Sequence, residues 1–136
     1  MNREALIEEL KRDEGVVFTL YKCSAGKNTI GVGRNLDDRG ITEDESDYLL
    51  SNDIDLCVEE LTLAFPWFHS LSDARQRVLV NMCFNLGLSR LMGFKKFLTA
   101  VEAGEWETAG VEMLDSKWAE QVGPRSTRLR DLLLEG

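Results

Sequence analysis

The chain has 136 residues, 43% of them hydrophobic, enough for one modest domain, or two small lobes sharing a helix, around a real core. A formal net charge of −8 argues against nucleic acid or an anionic membrane as partner, and no run approaches the roughly 18 apolar residues of a membrane span. Three widely spaced cysteines (Cys23, Cys57, Cys83) without a CxxC pair and a single histidine, His69, argue against a disulfide scaffold or a metal cluster.

The N-terminus, MNREALIEELKRDEG, has no uninterrupted apolar stretch, so a secretory signal is not expected. Asn2 reads as an N-cap, Leu6, Ile7 and Leu10 as a short apolar stripe, and Gly15 as the stop of a helix of about three turns. Glu14 then sits in the last turn, at the negative end of the helix dipole, which disfavours its ionisation. That suits a general acid, and equally a solvated helix-end glutamate. Val16 to Lys22 (VVFTLYK) is β-branched and aromatic, SAGKN reads as a hairpin turn, and Thr29 to Gly33 (TIGVG) as the return strand. Glycines inside a strand mark a bulge or the close approach of another surface. Asn35 to Gly40 (NLDDRG) reads as a polar loop.

Thr42 and Glu45 form a capping box that opens a long helix to about Leu61, with Ile54, Cys57, Val58 and Leu61 on its apolar face. Residues 37–60 carry ten acids against Arg39 alone, read as the solvated face. Pro66 breaks the pattern. Ser72 caps the next helix, Gly87 closes it, and Leu79, Met82, Cys83 and Leu86 form its core stripe. Asn81 and Asn85 lie one turn apart on the other side, with Phe84 off the stripe, a face that fits a saccharide cleft or plain solvent. Phe94, Phe97, Leu98 and Val101 mark a further helix, and Trp106, Ala109, Gly110 and Met113 another. Leu129, Leu132 and Leu133 mark the last, after Gly123-Pro124. The whole reads as α+β, with a small antiparallel sheet and a dominant helical part.

Taken together, RDEG…YKCSAGKNTIGVGRNL, GRNLDDRGIT, RVLVNMCFNLG, GEWETAG and SKWAEQVGPRSTRLR resemble the phage-type lysozymes, endolysins that cleave bacterial peptidoglycan. The family pattern of Glu, eight residues, Asp or Cys, five residues, Thr falls on Glu14, Cys23 and Thr29. The resemblance implies a single lysozyme-like domain over residues 1–136: a β-rich lobe at about 13–40, a connecting helix at 42–61, and a helical lobe of 62–136 with 1–12. It implies that Glu14 protonates the glycosidic oxygen between N-acetylmuramic acid and N-acetylglucosamine, and that Thr29 hydrogen-bonds the attacking water. Arg125 matches an arginine that approaches the acid and would oppose the dipole. Asn81, Phe84 and Asn85 match cleft positions, with Asn35 a further substrate-binding candidate. Arg34 stands where relatives often carry histidine, and Asp53 at that residue's acidic partner, so an Arg34–Asp53 pair is expected.

Cys23 occupies the position of the second carboxylate. A thiol near its usual value of about 8.5 is mostly protonated at neutral pH, and an ionised Glu14 nearby would raise it further. A partial thiolate base, a supporting residue beside Thr29, and a crippled enzyme all remain open, and a supporting role in an active enzyme is preferred. The expected activity is inverting hydrolysis of the β-1,4 bond, without cofactor or metal. A non-hydrolytic muropeptide-binding module is the alternative. The expected partner is bacterial peptidoglycan, met by a monomer that associates with no membrane. The protein would be made in the host cytoplasm and reach the wall through a separate membrane-permeabilising holin. At −8, long-range attraction to an anionic wall is absent, so moderate salt should aid lysis or leave it unchanged.

Overall fold

The computed structural model describes residues 1–136. Asn2 opens the first helix by accepting the Ala5 N–H on its Oδ1 at 3.0 Å, and α1 runs Arg3–Glu14. It stops at Gly15, whose φ of +78° takes the chain out of the helix. Three strands follow, β1 (Val17–Lys22), β2 (Asn28–Gly31) and β3 (Arg34–Asn35), in one antiparallel sheet of order β1-β2-β3. The β1–β2 connection is the five-residue stretch from Cys23 to Lys27, with Ser24, Ala25 and Gly26 at its tip. The Cys23 N–H closes it on Lys27 O at 3.0 Å, and Gly26 supplies a positive φ of +78°. The β1–β2 register shifts between Val17 and Tyr21, the extra residues lying on β1 opposite the stretch from Thr29 to Gly31.

The stretch read as a polar loop begins with a strand. β3 is too short to show periodicity and exists through backbone pairing, Thr29 with Asn35 and Ile30 with Arg34. Asp37 ties the turn down, accepting the Asn28 N–H at 2.8 Å and the Asn28 amide at 3.1 Å. The capping box is present as read, with Glu45 N–H on Thr42 Oγ1 at 3.2 Å and Thr42 N–H on Glu45 Oε1 at 2.8 Å. It opens α2 (Glu43–Ala64), three residues longer than the apolar pattern indicated.

Residues 1–48 form one unit and 49–136 another, so the division falls within α2. The first unit holds α1 and the sheet, and Thr29 is its buried polar residue. The second unit adds α3 (Asp73–Leu86), α4 (Leu88–Met92), α5 (Lys95–Ala103), α6 (Trp106–Leu114), α7 (Lys117–Val122) and α8 (Pro124–Glu135). Ser72 caps α3 through Arg75 N–H. The core lies here: Leu61, Phe68, Leu79, Met82, Phe97 and Met113 are fully buried, each contributing roughly 1.5–3 kcal/mol. α8 is held at its C-terminal end by Arg75, which donates Nε–H to Leu133 O at 2.9 Å while its guanidinium stacks 3.7 Å from the Trp106 ring. No helix is long and apolar enough to cross a membrane.

Candidate active site

In the first unit the hairpin sets Cys23 and Thr29 side by side at its mouth. Cys23 begins the β1–β2 loop, half-exposed, and Thr29 on β2 is 2% exposed. The Thr29 hydroxyl donates to Lys27 O at 2.9 Å. Backbone N–H groups of Lys27 and then Ala25 hold the Cys23 thiol below its usual range, with a smaller contribution from Thr29. The expectation was of a thiol raised by Glu14; the direction is downward, and Glu14 is not among the groups that shift it. Glu14 ends α1 with an exposed side chain, and its carboxylate lies against the backbone of Gly33.

In the second unit α3 and α8 set Asn81, Phe84 and Arg125 along a groove of about 650 Å³. Arg125 donates from Nε at 3.0 Å and from Nη2 at 2.7 Å to one oxygen, Asn81 Oδ1, which fixes both side chains. Asn85 Oδ1 accepts the Trp118 indole N–H at 2.8 Å. Each amide oxygen is thereby occupied and each NH₂ remains a donor; Asn81 lines the groove with Phe84, which is 46% exposed, whereas Asn85 does not line it. A fixed amide donor beside an exposed ring suits sugar oxygens and an acetamido group.

Comparison with protein families matches residues 11–132 to Phage lysozyme. The chain belongs to the phage lysozyme family. Two relatives from Dictyostelium discoideum, probable T4-type lysozymes 2 and 1, are each 28% identical. They cover 92% and 93% of this chain and 91% and 92% of their own length. The pre-baseplate central spike protein Gp5 of Enterobacteria phage T4 is 27% identical over 97% of this chain, which corresponds to 28% of that protein. Membership supports a lysozyme-like fold and a lysozyme-like glycoside hydrolase.

For this phage lysozyme family member, the Arg34–Asp53 expectation is corrected. Arg34 Nη2 meets Glu45 Oε2 at 2.8 Å, and Nη1 donates to Glu45 Oε1 and Gly40 O, each at 3.0 Å. Glu45 prevails because the capping box already fixes its carboxylate at the start of α2. Asn35 is engaged locally, accepting Asp38 N–H at 3.0 Å and donating to the Asp38 carboxylate at 2.9 Å. Sequence reasoning missed three contributors: the Lys27 and Ala25 backbone at Cys23, Trp118 as the group that orients Asn85, and Gly33 beside Glu14. A glycine four positions after Thr29 was the one available signal, whereas Trp118 is 33 positions from Asn85 with nothing local to connect them.

Proposed function

We propose that the protein is an endolysin that hydrolyses the β-1,4 bond between N-acetylmuramic acid and N-acetylglucosamine in bacterial peptidoglycan, causing host lysis. Glu14 as a carboxylic acid gives its proton to the glycosidic oxygen, and the bond from that oxygen to the muramic anomeric carbon breaks. Water held by Thr29 bonds to the anomeric carbon from the opposite face, and its proton passes to Cys23 as thiolate. Transfer of that proton back to the Glu14 carboxylate through solvent restores the site. The sequence inverts configuration, as single displacement requires.

The observation that carries the reading is the pairing of Cys23 and Thr29 at the hairpin mouth, where turn amides favour the thiolate. It gives the residue at the second-carboxylate position a physical means of accepting a proton. Asn81, Phe84, Asn85 and Arg125 are the saccharide-binding positions of the second unit, and Asn35 on β3 a further one in the first. Host lysis adds a separate membrane-permeabilising partner that gives a monomeric enzyme access to the wall. The deciding experiment digests purified peptidoglycan and reduces the products with borohydride. Muraminitol at the new ends supports the proposal. Glucosaminitol or anhydromuramic ends would contradict it, and retention on the polymer without new ends would make the chain a binding module.

A further inference from the structure

TIGVG contains two glycines with almost the same backbone conformation, Gly31 at φ +69° and Gly33 at φ +61°. Both lie in the left-handed region, so a side chain at either one carries a similar conformational penalty. Their surroundings differ sharply. A Cβ built on Gly31 meets nothing within 4 Å. A Cβ built on Gly33 stands 2.7 Å from Glu14 Oε2, 3.1 Å from Glu14 Cδ and 3.3 Å from Glu14 Cγ. The 2.7 Å approach is well inside van der Waals contact, and the three nearest atoms all belong to the side chain of Glu14, the residue assigned as the acid. Two glycines that look interchangeable in the motif therefore do different things.

We infer that Gly33 is the positioning residue for Glu14: its missing side chain is the seat in which the carboxylate rests, and the glycine sets where the acid delivers its proton. The inference rests on the proposed role of Glu14 and adds the element that holds it. Glu14 ends α1 on an exposed, flexible side chain, so the shape of the surface at Gly33 bears on where its carboxylate rests. At the far end of a flexible chain the carboxylate moves more easily than the sheet. A methyl at position 33 therefore displaces the acid and leaves the fold intact. The cost appears in the chemical step, where displacement of a reacting group by about 1 Å can lower the rate on the order of 10²-fold.

The test compares Gly33→Ala with Gly31→Ala, which share the backbone penalty and differ in the contact with Glu14. Both are assayed on soluble, uncrosslinked peptidoglycan strands. Carboxyl ¹³C resonances are recorded on glutamate-labelled protein, with Glu14 assigned by its loss in Glu14→Gln. The account expects Gly33→Ala to lose about 10²-fold in kcat with KM little changed, and the Glu14 resonance to move. Gly31→Ala should show similar thermal destabilisation, an unmoved Glu14 resonance and kcat within about threefold of the parent, the range expected when no reacting group shifts. An unmoved Glu14 resonance in Gly33→Ala, or equal kcat in the two variants, would overturn the inference. Full activity of Glu14→Gln would instead remove the acid role from Glu14, while its resonance in Gly33→Ala would still report whether Gly33 seats it.

Discussion

Thr29→Val separates the chemistry of the hairpin mouth from its stability. Thr29 is 2% exposed on β2, and valine keeps its shape, its branching and its methyl contact while removing only the hydroxyl. That hydroxyl donates to Lys27 O at 2.9 Å, but the same carbonyl also accepts the Cys23 N–H at 3.0 Å, so it is not orphaned by the change. The expected cost is therefore one neutral hydrogen bond, about 1 kcal/mol. Thr29→Ser does the converse, keeping the hydroxyl and deleting a buried methyl at a cost of about 1 kcal/mol. If Thr29 orients the attacking water, kcat should fall on the order of 10²-fold in Thr29→Val and stay within about fivefold in Thr29→Ser. Urea unfolding and initial rates on soluble peptidoglycan strands measure both quantities on the same preparations. Two variants of equal stability and very different rate are the expected outcome. Comparable rates in the two, or a rate that follows stability, would refute the reasoning.

The three thiols should differ in reactivity. Backbone donors from Lys27 and Ala25 hold Cys23 below the usual thiol range, whereas burial raises Cys57 and pushes Cys83 up to about 12. Iodoacetamide at neutral pH, followed by mass spectrometry, should label Cys23 alone until the protein is unfolded; uniform labelling would contradict this. Glu45 provides a pH-dependent check on the first unit. The Arg34 hydrogen bond, then the Thr42 N–H, lower its carboxyl from 4.5 to about 2. A depressed folded-state value means its contribution is complete above about 4.5 and lost as pH falls towards about 2. The stability gap between the parent and Glu45→Gln should therefore be constant near neutrality and shrink across that acid window. A gap independent of pH would show that the Arg34–Glu45 pair is not coupled to folding.

Features set by neighbours three or four positions apart could be read from the chain alone. The caps at Asn2, Thr42 and Ser72 were of this kind, as were the stops at Gly15 and Gly87 and the core stripe of α3, because each depends on local geometry. What escaped was either too short for a period or made across the fold. β3 has two residues and α4 five, too few to show an apolar repeat. The Arg34–Asp53 expectation came from the resemblance alone, whereas the Glu45 carboxylate accepts several donors and serves both the cap and Arg34. At the site, the spacing of Glu14, Cys23 and Thr29 was visible, while the state of the thiol was not. It depends on where the Lys27 and Ala25 amides point once the turn has formed. The Asn81–Arg125 and Asn85–Trp118 bonds join residues 44 and 33 positions apart, and only packing brings them together.

The most direct measurement is release of new reducing ends from purified peptidoglycan by the parent, Glu14→Gln, Cys23→Ala and Cys23→Asp. The account predicts robust release by the parent, loss in Glu14→Gln to the uncatalysed background, a marked fall in Cys23→Ala, and activity retained in Cys23→Asp. Undiminished release by Glu14→Gln would contradict the central claim. Equal rates in Cys23→Ala and the parent would remove the thiol from the chemistry.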